Sequence, residues 1–152
     1  MMKNKSLLSL LLLGLLFATA GCKKDNDDDD LTCGERLEGD WRAYSFEIDG
    51  TQFLGYNGQG GINFFEMEFS DFNPGNNNGE LRVTFQFFGE VPSPPITGLF
   101  SPGTDCNKLD TPDFLNGASS TVRWDIISLD DSRLIIEANA GGFSYEIKLD
   151  KI

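Results

Sequence analysis

Apolar residues at every second position, in run after run, constrain this chain more than any other feature, because successive side chains of an extended strand point to opposite faces. In Leu81-Arg82-Val83-Thr84-Phe85-Gln86-Phe87, four apolar side chains share one face and three polar ones the other, the mark of a half-buried strand. Just upstream, Phe65, Met67 and Phe69 alternate with Glu66, Glu68 and Ser70. Between these runs lies Asn73-Pro74-Gly75-Asn76-Asn77-Asn78-Gly79, whose residues favour turns, so the pair reads as a hairpin with a generous loop. Toward the C-terminus, Val122, Trp124 and Ile126 form one alternating run. Leu134, Ile136 and Ala138 form a second across Asp130-Asp131-Ser132, and Phe143, Tyr145, Ile147 and Leu149 a third across Ala140-Gly141-Gly142. Three consecutive runs of this kind predict a meander. The opening strand is placed at residues 41–48, and a short second one at 51–56 follows the Asp49-Gly50 turn signal. The fold class is therefore all-β and antiparallel.

Between Gly89 and Ser120 the alternation fails. Pro92, Pro94, Pro95, Pro102 and Pro112 argue against a central strand or a helix interior, so this stretch is expected to be a long surface loop. Its Pro95-Ile96-Thr97-Gly98-Leu99-Phe100 portion either packs on the core or forms a lid.

The N-terminus is of another kind. Lys3 and Lys5 precede an apolar stretch at residues 7–17, and small residues at 18–21 lead directly to Cys22. A stretch this short falls below the roughly 18 apolar residues of a membrane-spanning helix. The order of these residues resembles the lipobox of bacterial lipoproteins, which implies that residues 1–21 are a cleaved signal peptide and that Cys22 carries the lipid. Two or three acyl chains, each buried methylene contributing about 0.8 kcal/mol, make a durable anchor. Residues 22–30 then form a lysine-and-aspartate tether without an apolar residue, too polar to fold. Lysine followed by aspartates close behind such a cysteine is similar to the export signal of some surface lipoproteins. The expected location is thus the cell envelope, anchored to the outer membrane, with display on the outer face favoured over periplasmic retention.

With Cys22 assigned to lipid, Cys33 and Cys106 remain as an even pair in a chain bound for an oxidising space, and a disulfide between them is expected. Two cysteines and no histidine fall short of a zinc ligand set, so no metal is expected. Residues 31–152 are long enough for one domain with a real core. Without the four lysines and five aspartates before Leu31, 8 basic and 19 acidic side chains remain, a net charge of −11. Such a surface repels nucleic acid, which is excluded as a partner.

At the head of the first strand, Leu37-Glu38-Gly39-Asp40-Trp41 resembles the Gly-X-Trp signature of lipocalins, and the chain from Trp124 to Leu149 is similar to the last strands of lipocalin-like lipoproteins. The resemblance covers both ends of the domain and implies an up-and-down antiparallel barrel, or a strongly curved meander, of about seven to eight strands. It also implies that Gly39 and Trp41 close one end and that an apolar cavity opens at the other. The last strand offers no arginine to stack on Trp41, and Arg133 on the preceding strand is the nearest candidate.

Twelve phenylalanines follow Cys22. On the inward parity of their strands, a cavity would be lined by Phe65, Met67, Phe69, Leu81, Val83, Phe85 and Phe87 on one side and by Trp124, Phe143 and Tyr145 on the other. Bulky rings equally fill a small barrel, and both readings stand. Phe64, Phe72 and Phe88 have the opposite parity and are expected to form an outer patch.

Without histidine there is no Ser-His or Cys-His pair, and no Gly-rich phosphate loop precedes a helix, so neither an enzyme nor a cofactor is expected. Glu66 and Glu68 share a strand face, where period-two acidic residues read as a solvated surface. Two function classes follow: a membrane-anchored binder of a small hydrophobic ligand, and an interaction or structural subunit with a filled barrel that partners envelope proteins or glycans.

Overall fold

A computed structural model describes residues 31–55, 61–116 and 119–152. The predicted signal peptide, Cys22 and the tether lie outside them. Among the described residues nine strands form, those outside residues 89–120 on the expected runs: β1 Gly39–Ile48, β2 Thr51–Gln52, β3 Ile62–Asn73, β4 Asn78–Phe87, β5 Ile96–Pro102, β6 Lys108–Pro112, β7 Thr121–Leu129, β8 Arg133–Ala140 and β9 Phe143–Lys151. One short helix, α1 Cys33–Leu37, precedes them. All neighbouring strands pair antiparallel in the order β2-β1-β3-β4-β5-β6-β7-β8-β9, and β1 also pairs with β9. That last pairing closes eight strands into an up-and-down barrel, with the two-residue β2 a spur on β1, as the resemblance to lipocalins implies. Closure satisfies the backbone groups that an open sheet would leave at its two edges.

The expected loop at residues 89–120 is corrected: it contains β5 and β6. The prolines mark the limits of these strands rather than excluding them. Pro95 immediately precedes β5, and Pro102 and Pro112 are the last residues of β5 and β6. A terminal proline costs the ladder little, and β5 pairs with β6 only through Ser101 with Asp110 and Pro102 with Leu109. Phe100 is fully buried, so the Pro95-to-Phe100 stretch serves as barrel wall.

Four register shifts interrupt the ladders, one of them between Ile126 and Ser128 of β7, and the other three adjust which face β1 and β3 bury. In β1 the register shifts between Ala43 and Ser45, so that Trp41 and Ala43 point inward below the shift and Phe46 above it. A second shift between Ile62 and Phe64 buries both Ile62 and Phe65. In the third, between Ser70 and Asn73, Asp71 takes a left-handed φ of 52°. Phe72 thereby turns under the barrel and stacks on Phe100 with ring centroids 6.0 Å apart. The expected outer patch of Phe64, Phe72 and Phe88 is corrected accordingly, for Phe72 packs against the core.

Both chain ends of the domain meet at the closed end. Thr32 caps α1 in a reciprocal box with Glu35, and Leu37 is wholly buried beneath the barrel floor. A disulfide joins Cys33 to Cys106 in the β5–β6 turn, with Cα atoms 5.2 Å apart. Gly34 lies flat on Phe72, where a Cβ would meet the ring at 2.1 Å.

Trp41 is also wholly buried, and its indole N–H donates to the Leu37 carbonyl at 2.7 Å. The cation on its face is Lys151 of β9, with Nζ 5.1 Å from the ring centroid, and not Arg133, which lies over Tyr44. Gly39 makes room for that lysine: its φ is +124°, and a Cβ there would approach Lys151 Cε to 2.7 Å. Lys151 also donates to the Arg36 carbonyl, and Arg36 to the Leu129 carbonyl, tying α1 to β7 and β9.

Candidate functional site

Above this floor the barrel interior changes character along its axis. Met67, Phe69, Leu81, Val83, Phe100, Leu109, Trp124, Leu134, Ile136, Ile147 and Leu149 are all at most 1 % exposed and fill the lower half. Trp124 forms the upper boundary of that filling. Its indole N–H donates to the buried Thr111 hydroxyl at 2.9 Å, and Phe114 stacks on it with centroids 5.4 Å apart and planes 8° from parallel. Over Phe114 the interior opens.

The opening is a pocket of about 170 Å³ at the mouth of the barrel, lined by Phe46, Ile48, Phe53, Ile62, Phe65, Phe85, Phe87, Phe114, Leu115 and Tyr145. The rings meet at steep angles: Phe46 with Phe65 at 61°, Phe46 with Tyr145 at 80° and Phe85 with Phe87 at 79°. Phe65 and Phe85 instead lie 23° from parallel with centroids 6.5 Å apart, so the lining mixes edge-to-face and stacked pairs. Among the described residues, Tyr145 alone brings a polar side chain to this lining. Burial raises the Tyr145 hydroxyl pKa, and the carboxylates of Asp113 and Asp49 raise it further. It stays a neutral phenol, able to donate to or accept from a guest.

Each of those carboxylates is held by its own turn. Asp49 Oδ1 accepts from the backbone N–H and hydroxyl of Ser144 at 2.9 and 3.1 Å. Asp113 is nearly buried and accepts from the N–H groups of Leu115 and Asn116, the Asn116 amide and the Ser120 hydroxyl. Burial pushes its pKa up, yet the bonds from Asn116, Ser120 and Leu115 together hold it below the usual aspartate value. This knot fixes the β6–β7 connection and so places Phe114 and Leu115.

Of the ten lining residues expected from parity, Phe65, Phe85, Phe87 and Tyr145 meet at the pocket. Met67, Phe69, Leu81, Val83 and Trp124 point inward but are consumed by the filled lower half. Phe143 is corrected: it shares the parity of Tyr145, but β9 begins there beyond the rim, leaving it 50 % exposed. Phe46, Ile48, Phe53, Ile62, Phe114 and Leu115 were missed. Phe46 and Ile62 lie past bulges that reverse parity, Phe114 and Leu115 in the stretch expected to be loop, and Phe53 just beyond the spur.

The outer wall carries ion pairs. Glu66 meets Arg42 at 2.8 Å and Glu68 meets Arg82 at 3.6 Å, on the solvated face expected of them. No group of three or more potential metal ligands occurs among the described residues, and no described helix is long and apolar enough to cross a membrane.

No protein-family model and no curated protein matches this chain. Solved structures similar to it include bovine odorant binding protein in complex with a selenium-containing odorant, at 13 % identity and a TM-score of 0.49, covering 78 % of this chain and 72 % of that one. A deswapped triple mutant of bovine odorant binding protein is similar at 12 % identity and a TM-score of 0.48, covering 77 % and 74 %. The barrel assignment rests on strand order and closure rather than on this likeness.

Proposed function

We propose that this chain is a membrane-anchored lipoprotein whose barrel binds a small hydrophobic molecule at its mouth without catalysing a reaction. The observation that carries the binding is the aromatic pocket above Phe114, apolar except for one phenol and continuous with solvent. A cavity of roughly 150 Å³ accommodates a benzene ring, so a guest with one ring or a short apolar body fits this space. The filled lower half supports a short ligand over a long acyl chain. Lipid attachment at Cys22 and a place on the outer membrane are supported by the residue order before Cys22 and the polar segment after it.

Titration with benzyl alcohol, followed by calorimetry and by Trp124 fluorescence, tests the binding. Saturable one-to-one binding that Phe85→Ala weakens and Gln86→Ala leaves intact is the expected result. A heat signal indifferent to Phe85→Ala overturns it and returns the filled-barrel interaction subunit as the better account. Anchoring is tested separately by metabolic labelling with a clickable fatty acid, where Cys22→Ser should lose the label. Equal labelling of both forms sinks that part of the proposal.

A further inference from the structure

We propose that the mouth pocket selects a small organic cation, an amine with one ring or a short apolar body, over neutral and anionic molecules of the same shape. This rests on the binding reading above and adds the charge of the ligand to it. Seven aromatic rings, those of Phe46, Phe53, Phe65, Phe85, Phe87, Phe114 and Tyr145, line the pocket. The face of such a ring is the negative end of its quadrupole, and a desolvated cation gains about 0.5–2 kcal/mol against one. Phe65 and Phe85 lie 23° from parallel while Phe46 meets Tyr145 at 80° and Phe85 meets Phe87 at 79°, so rings in more than one orientation surround a guest.

The connections at the mouth carry acidic residues and no basic one, and Arg123, just inside β7, is paired with Asp110. Between Arg42 and Arg82, between Arg82 and Lys108, between Lys108 and Arg123 and between Arg133 and Lys148 the sequence has neither lysine nor arginine, and those intervals contain every mouth-side connection. Three acidic residues stand in the same connections: Asp49, Glu90 and Asp113. Asp49 and Asp113 are pinned by hydrogen bonds from Ser144, Leu115, Asn116 and Ser120, so their charges are fixed in place before any ligand arrives. Neither forms an ion pair with a described lysine or arginine. The negative charges of both help raise the Tyr145 hydroxyl pKa, after burial, in keeping with carboxylates set behind the pocket wall. A carboxylate guest would enter that field with no counter-charge, whereas an ammonium would find both the field and the ring faces favourable.

Phenethylamine, phenethyl alcohol and phenylacetate share a ring and a two-carbon arm and differ in charge, so calorimetric titration of the full-length chain with each isolates the charge. The amine should bind on the order of tenfold more tightly than the alcohol, and the acid most weakly. Phe85→Leu and Phe87→Leu, each of which removes a ring while keeping an apolar wall, should narrow the gap between amine and alcohol. Asp49→Asn should narrow it as well, and the alcohol should displace the amine competitively. Equal affinity for amine and alcohol overturns the cation preference and leaves hydrophobic binding standing. Tightest binding of phenylacetate overturns the charge argument. Amine binding that ignores both leucine variants and vanishes at high salt is attraction to an acidic surface and overturns the assignment to this pocket. Failure of all three probes to bind overturns the underlying binding reading too.

Discussion

The two ends of the barrel are built from the same kinds of side chain and do opposite things. At the closed end Trp41, Phe69 and Phe100 are at most 1 % exposed, α1 lies beneath them with its Leu37 wholly buried, and Lys151 and the Cys33–Cys106 disulfide lock the plug in place. At the mouth Phe85 and Phe87 are only half-buried, and the interior opens to solvent. The difference lies in what covers the rings, not in their chemistry. A phenylalanine with partners on every side is core, and one whose inner face meets space leaves room for a guest. On the proposed function, stability and recognition fall to separate ends, and perturbing each end should affect a different property.

The largest expected effect is on folding. Trp41→Ala removes a wholly buried indole, its bond to Leu37 and the seat of Lys151, and should cost about 3–5 kcal/mol of stability, read from the denaturant midpoint. Its mirror image at the mouth, Phe85→Ala, should cost no more than about half as much because its ring is partly solvated already. A comparable cost for both would break the proposed division. Removing the staple comes next. Cys33→Ser opens a loop of 73 residues and should cost about 4 kcal/mol in the chain-entropy model, checked by equilibrium unfolding with and without reductant. The benzyl alcohol affinity of the folded variant should stay unchanged, because the bond lies at the other end.

Smaller changes sharpen the picture of the mouth. Phe85→Ala should weaken benzyl alcohol binding on the order of tenfold, the scale of one lost ring contact. Phe143→Ser, beyond the rim, should shift stability by no more than about 0.5 kcal/mol and leave affinity alone, by the same titration. Acid should loosen the mouth locally. The folded pKa of Asp113 lies below the unfolded value of about 3.9, so its contribution is complete above that value and is lost as pH falls through the folded pKa. Amide exchange at Leu115 and Asn116 should accelerate in that window while the Trp41 indole N–H stays protected. Simultaneous loss of both would show the two ends to be one cooperative unit.

Much of this is legible in the sequence. The runs around Leu81, Trp124, Leu134 and Ile147 gave strands because half-buried antiparallel walls demand period two, and the turn residues between them set a meander. The cysteine pair followed from its even count, and Gly39 and Trp41 marked the floor. What misled was local: prolines at Pro95, Pro102 and Pro112 looked like a loop because a proline at a strand end and one in its middle read alike in the sequence.

The sequence by itself determined the strands outside residues 89–120, their antiparallel class and their inward rings, since these depend on neighbours two residues apart, while the barrel was implied by the resemblance at the two ends of the domain. Only the tertiary structure decided which rings became core and which became pocket. Bulges at Tyr44, between Ile62 and Phe64, and at Asp71 reverse the inward face without leaving a mark in the alternation, and the depth of filling depends on side chains meeting from eight strands at once. Met67 and Phe85 carry the same inward parity. Met67 lies in the packed lower half, Phe85 above Trp124 and Phe114, and that difference in height comes from closure of β1 on β9 and the plug beneath, contacts between residues far apart in the chain.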